Sequence, residues 1–210
     1  MLPIKSKYKI AKRLGGGIFE QTQTQKFALS EVRAKRPSRG RRGASDYNRQ
    51  LLEKQRLRFT YGLKERELSN YAKKAYMTED PAGTLHAMLE MRADSAVYRA
   101  GLASTRRAAR QMVSHGHIVI NGTRTTIPSH RLKKGDVLTV REGSKQSSLF
   151  GHLAEGEDKL RATPRWISVD PTLIKVEILQ EPIYGPAETT IDYKTVFEFY
   201  SRQRENWGWM

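Results

Sequence analysis

The chain has 210 residues, with 38 Lys and Arg against 22 Asp and Glu, hence a formal net charge of +16 at pH 7, and so strong a basic excess points to a polyanionic partner before it points to catalysis. It contains no cysteine, which excludes disulfides, thiolate zinc sites and thiol catalysis together. No apolar run approaches the roughly 18 residues needed to span a bilayer, and MLPIKSKYKIAKRL lacks a signal-peptide core with a small-residue cleavage site, so an intracellular protein is expected.

The charge is unevenly spread. Residues 1–74 carry 20 Lys and Arg against 6 Asp and Glu, residues 75–142 carry 10 against 6, and residues 143–210 carry 8 against 10. A membrane-surface protein would set its cations beside an exposed apolar face, whereas much of this charge lies in Gly-, Ser- and Pro-containing sequence, which suits contact with nucleic acid better.

Residues 1–45 contain the glycine run Gly15 to Gly17, the stretch QTQTQ and the segment KRPSRGRRGAS. With no sustained apolar period they are expected to form an extended basic arm. Such an arm buries too little apolar surface to offset its ordering entropy, so a partner is expected to hold it; an acid-poor organellar transit peptide is the alternative. From Ser45 the pattern turns helical, with Tyr47, Leu51, Leu52, Gln55 and Phe59 on one face and Lys54, Arg56 and Arg58 around the remainder. After Tyr61-Gly62 a second helix is expected, with Leu68, Tyr71, Ala72 and Ala75 inward and Lys64, Arg66, Lys73 and Lys74 outward. Asp80, Pro81 and Gly83 mark a break before a helix expected over residues 84–100.

In the next segment, TRRAARQMVSHGHIVING, residues Thr105, Ala108, Ala109, Met112 and Val113 recur at helical spacing and leave Arg106, Arg107, Arg110 and Gln111 outward. Ser104 suits the N-cap and Gly116 the left-handed position that ends a helix. Ile118, Val119 and Ile120 read as a strand, and Asn121-Gly122 as a tight hairpin turn. Three arginines in the first two turns stand at the positive end of the helix dipole, a repulsion that a phosphate backbone would relieve. Beyond Ile127-Pro128 and RLKKGD, residues 137–141 read as a returning strand, 143–160 as a polar excursion, 166–169 and 175–179 as further strands, and 189–202 as a closing helix. Helix, helix, hairpin and returning strand make a compact α+β unit.

These residues resemble the ribosomal protein S-four family in its bacterial or organellar form. The resemblance lies in SDYNRQLLEKQRLRFTYGLKERELSNYAKKA (45–75), in LEMRADSAVYRAGLASTRRAARQMVSHGHIVING (89–122) with GDVLTVRE (135–142), and in VFEFYSR (196–202). It implies an extended basic arm over 1–45, a helical domain over 46–83 completed by the C-terminal helix 187–210, and an S-four RNA-binding domain with its following strands over 84–186. It further implies a structural constituent of the small ribosomal subunit, in a bacterial or organellar ribosome. Such a protein is a primary binder of ribosomal RNA that nucleates subunit assembly and contributes to translational accuracy and to the region where mRNA enters. The neighbours implied are proteins S-three, S-five and S-twelve, with no cofactor, metal or membrane. Three departures stand out: the arm lacks the cysteine zinc site of many members and is expected to be held by RNA, Ala93 fills a position usually Leu, and Arg107 adds a charge.

On this reading the RNA-binding residues are Arg36, Arg39, Arg41 and Arg42 in the arm and Lys54, Arg56, Arg58, Lys64 and Arg66 on the helical pair. In the module they are Arg99, Thr105, Arg106, Arg107, Arg110, Gln111, Ser114, His115 and Asn121, followed by Lys133 and Lys134. Guanidinium forks suit phosphates, and the polar side chains suit phosphate or ribose hydroxyls. For Arg99 an internal ion pair is the equal alternative, and Arg92 with Asp94 reads as structural. His115 and His117 read as hydrogen-bonded hairpin residues. The module also occurs in pseudouridine synthases and tyrosyl-tRNA synthetases, so an RNA-modifying enzyme is the alternative function. Against it, RADS is not followed by Thr-Ser-Gly, the flanks are short and basic, and Gly15 to Gly17 is not followed by the Lys-Ser/Thr of a phosphate loop; no catalytic residue is assigned.

Overall fold

A computed structural model of the chain describes residues 4, 6–34, 45–145, 147, 150, 163–170, 174–185 and 189–202. The helices are α1 (Lys7–Leu14), α2 (Gln25–Ala34), α3 (Asp46–Thr60), α4 (Glu65–Tyr76), α5 (Pro81–Glu90), α6 (Ala93–Arg99), α7 (Arg106–Ser114), α8 (Glu142–Lys145) and α9 (Tyr193–Ser201). The strands are β1 (Ile118–Ile120), β2 (Thr123–Arg124), β3 (Val137–Val140), β4 (Ile167–Asp170) and β5 (Lys175–Ile178). The mixture is α+β, as expected, and it divides into two compact units: Met1–Leu85 with Thr189–Met210, and His86–Glu188.

The first unit corrects the expectation of an extended arm. Residues 7–34 form α1, two single 3-10 turns at Gly16–Ile18 and Glu20–Thr22, and α2. Ala11, Leu14, Ile18, Phe19 and Phe27 bury one another, with Leu52 and Phe59 of α3 packed against them. The Thr22 hydroxyl ties the two turns together by donating to the carbonyls of Gly16 and Phe19, and Arg56 Nε donates 2.9 Å to the Leu14 carbonyl at the end of α1. Apolar residues too irregularly spaced to show a period thus supply a local core for this stretch. Arg36, Arg39, Arg41 and Arg42 lie outside the described residues.

In α3 the inward face also differs from the expected stripe. Gln50, Lys54 and Leu57 are buried, while Tyr47 is half exposed. The reason is α9, which lies along that face: Gln50 Nε2 donates 3.0 Å to Glu198, and the Lys54 ammonium stands 4.4 Å from the Phe199 ring centroid. Polar residues can occupy an inward stripe when their groups are paired. Asp192 caps α9 by accepting from the Lys194 and Thr195 amides. The helix then buries Tyr193, Val196, Phe197, Phe199 and Tyr200, and the Tyr61 and Tyr193 hydroxyls meet at 3.2 Å. In α4, Leu68, Ala72 and Ala75 are buried as the period predicts.

The second unit is built on an antiparallel sheet in the order β2-β1-β3-β5-β4. Ile118 pairs with Val140 and Ile120 with Leu138 across β1 and β3, and Leu138 with Val176 across β3 and β5. Their side chains meet Ala96, Val97, Ala109, Met112, Val113 and Trp166 in one core. The single helix expected over 84–100 is two helices. At Arg92 the backbone is extended (φ −75°, ψ 143°) and bridges to Arg131. The first amides of α6 are met from a loop, Ala93 by the His130 carbonyl and Asp94 by that of Pro128, so nothing requires the preceding turn to continue. Among the described residues no helix is long and apolar enough to cross a membrane.

Candidate nucleic-acid interface

The local framework of α7 and the hairpin follows directly from its residues. Thr105, one position later than expected, is the N-cap, its hydroxyl accepting 3.1 Å from the Ala108 amide. Ala109, Met112 and Val113 face the core, and Arg107, Gln111 and Ser114 face outward. Gly116 (φ 72°) ends the helix in the left-handed region, and Asn121 (φ 49°) and Gly122 (φ 79°) supply the two positive φ values of a tight turn. Asn121 is held there by its side chain, which donates 2.8 Å to Asp136 and accepts 2.9 Å from the Val137 amide.

The cations expected at this surface fall into two groups. Several are consumed inside the protein. Glu90 is fully buried and accepts two 2.8 Å bonds from Arg99 and one of 3.1 Å from Arg106. Arg106 also donates to Ser95 Oγ at 3.2 Å and lies 4.6 Å from the Tyr98 ring. Arg99 therefore holds the internal pair that was its alternative. Lys54 and Arg58 bond to Glu65 at 2.9 and 3.3 Å, and Arg56 to Glu53 at 2.6 Å. Lys54 is buried and has no surface to present. Thr105 and Asn121 serve as cap and turn anchor, and the Ser114 hydroxyl donates to the Gln111 carbonyl. Arg92 and Asp94, both buried, form a two-bond ion pair at 2.9 and 2.7 Å.

The others stand differently. Among the described residues the exposed Arg107, Lys133, Lys134, Lys64 and Arg66 have no acidic partner, and His115 and Gln111 are exposed. Arg110 is half-buried on α7 between Arg107 and Ser114. The sequence reading passed over Glu90, which orients two arginines, because it follows an apolar stretch and resembles an ordinary helix-surface acid. It also passed over Arg124, Arg131 and Arg141, which the structure leaves exposed. No group of three or more His, Cys, Asp or Glu among the described residues could hold a metal ion.

Glu65 gives a pH test of the first unit. Burial pushes its carboxyl up, but hydrogen bonds from Lys54, Tyr200 and Arg58 with the Lys54 charge outweigh this, and the group sits below the ordinary carboxylate range. A depressed folded-state value stabilises above the unfolded value, and that stabilisation is lost as pH falls through the folded value. Chemical denaturation should therefore show stability that falls as pH drops below the ordinary Glu value of about 4.3, a loss that Glu65→Gln reduces; equal acid sensitivity in both proteins would contradict the assignment.

Comparison with known proteins supplies the frame for these surfaces. The family described as Ribosomal protein S4/S9 N-terminal domain matches residues 4–91, and that described as S4 domain matches residues 91–138. The chain is 39% identical over 204 residues to the small ribosomal subunit protein uS4 of Roseiflexus sp. (strain RS-1), a match covering 92% of this chain and 96% of that one. It is 38% identical over 201 residues to the protein of the same name from Borrelia recurrentis (strain A1), covering 94% and 97%. To that of Sulfurihydrogenibium sp. (strain YO3AOP1) it is 37% identical over 198 residues, covering 92% and 95%. The chain belongs to the small ribosomal subunit protein uS4 family.

Proposed function

We propose that this chain is a structural component of the small ribosomal subunit that binds small-subunit ribosomal RNA through α7, the hairpin after it and the exposed cations of α4 and the 131–136 loop. The observation that carries this reading is Arg107. It stands exposed in the first turn of α7, where the helix dipole is already positive and, among the described residues, no acidic side chain answers it. A phosphate backbone would supply the missing charge. Arg107, Arg110, Gln111, Lys133, Lys134, Lys64 and Arg66 are the contacts this favours, read by shape and phosphate more than by base identity. The proposal extends to finer roles, for which the resemblance to the family is the support: early binding that nucleates subunit assembly, an effect on decoding accuracy, a place near the path of incoming mRNA, and neighbours S-three, S-five and S-twelve. The uS4 family is one of ribosomal proteins and not of enzymes.

The test is a salt titration of binding to a small-subunit rRNA transcript. Arg107→Ala with Arg110→Ala should reduce the slope of log affinity against log salt by about one for each lost phosphate contact. Arg106→Ala, by contrast, should act mainly on stability, because its guanidinium is tied to Glu90. An unchanged slope in the Arg107/Arg110 variant would refute the placement of the RNA on α7.

A further inference from the structure

At the opposite end of α7 from Arg107, four basic side chains from separate short segments converge. His115 ends the helix; its ring centroid lies 5.9 Å from that of His117. Arg124, on β2, donates 3.2 Å from Nη2 to the His115 carbonyl. Its guanidinium lies across Gly116, close to where a Cβ would stand, and the positive φ at this position favours glycine. Arg141 follows β3 and is set beside His117 by a 2.9 Å bond from its amide to the His117 carbonyl; its own guanidinium lies over Gly143. The His117 ring is fixed rather than free. Its Nδ1 is 3.0 Å from the Oγ of the buried Ser144, and it meets Phe150 edge-on at 6.5 Å.

We infer that His115, His117, Arg124 and Arg141 form a clamp for a single phosphate group of the RNA backbone. This rests on the proposed rRNA binding and names its chemistry at a second place on the module. The cluster has two guanidiniums and two imidazoles and no acid of its own among the described residues; the nearby carboxylate of Glu142 is already on Lys145 at 2.5 Å. Like charges gathered this way repel one another until an anion sits among them. Guanidinium forks and a ring N–H are the donors that phosphate oxygens take best. With Nδ1 on Ser144, Nε2 is the His117 atom left for the ligand.

The clamp has a proton attached to its action. The groups facing His117 are His115 from α7, Arg124 from β2, Arg141 after β3, and Ser144 with the Glu142–Lys145 pair from α8. Burial, then the charges of His115, Arg141 and Arg124, hold the His117 imidazole below its ordinary value. A bound phosphate reverses the sign of that field and favours the protonated ring, so binding takes up a proton and tightens as pH falls.

The experiment measures affinity of the full-length chain for a small-subunit rRNA transcript against salt, at pH 7.5 and pH 5.5. Arg124→Gln with Arg141→Gln should lower the salt slope by about one unit and the affinity by about tenfold at 0.1 M salt. His117→Gln should bind more weakly than the unsubstituted chain at pH 7.5, because the Nε2 donor is lost, and should also lose the tightening, about fivefold, expected at pH 5.5. Circular dichroism melts of both variants establish that they are folded. Tight binding with slope and pH dependence unchanged in both variants overturns the clamp and leaves the proposed function standing. Failure of the unsubstituted chain to bind rRNA overturns both.

Discussion

Replacement of Glu90 by Gln is expected to be among the most damaging single substitutions in the second unit. The carboxylate is fully buried, while the side chains of Arg99 and Arg106 keep 25% and 15% of their exposure. Removing the acid leaves two guanidiniums facing a neutral amide that cannot balance either charge. Breaking a buried pair by deleting one partner costs about 3–5 kcal/mol, and the residual exposure of the arginines places this substitution at about 3 kcal/mol. Urea denaturation should show a lowered midpoint with unchanged slope. Adding Arg99→Gln to Glu90→Gln should return part of the loss, because the two residues share one network. A change below about 1 kcal/mol would contradict the role given to Glu90.

Truncation after residue 188 is expected to abolish the first unit altogether. The deletion removes Tyr193, Val196, Phe197, Phe199 and Tyr200, all buried. At about 1.5–3 kcal/mol for each large apolar side chain withdrawn from water, the loss is on the order of 10 kcal/mol, comparable with the whole stability of a small domain. It also strips polar partners from inside the unit: Glu198 from Gln50, the Tyr193 hydroxyl from Tyr61, and the Tyr200 hydroxyl from Glu65. Amide hydrogen exchange should then show α3 and α4 unprotected while β1, β3 and β5, whose core lies within His86–Glu188, stay protected. Native-like protection of α3 in the truncated chain would contradict this account of α9.

How far the sequence could be read depended on the range of the interactions involved. The α7–hairpin segment was legible because its determinants are local: an apolar period of 3.6, a hydroxyl cap, and an Asn-Gly pair at positive φ. Even there the cap fell on Thr105, since Ser and Thr side by side are equally able acceptors. The break at Arg92 was hidden because the carbonyls that receive the first amides of α6 come from residues 128 and 130. The basic face of α3 was misjudged for the same reason: Lys54 looks solvated until Glu65 and Phe199 are brought to it. Charge type alone could not separate Arg106 from Arg107, adjacent on one helix, one tied to a buried acid and the other open. The helical residues 7–34 escaped because their core is assembled from five scattered residues with a glycine run among them.

The decisive measurement is the distribution of the chain in a sucrose gradient of lysate from cells that express it, followed through the free-protein, small-subunit and whole-ribosome fractions at low and high salt. The chain should travel with small subunits and whole ribosomes at low salt, and the Arg107→Ala/Arg110→Ala variant should leave them at a lower salt concentration than the unsubstituted chain. Recovery of the unsubstituted chain in the free-protein fractions alone, with the ribosome peaks intact, would contradict a role in the small subunit.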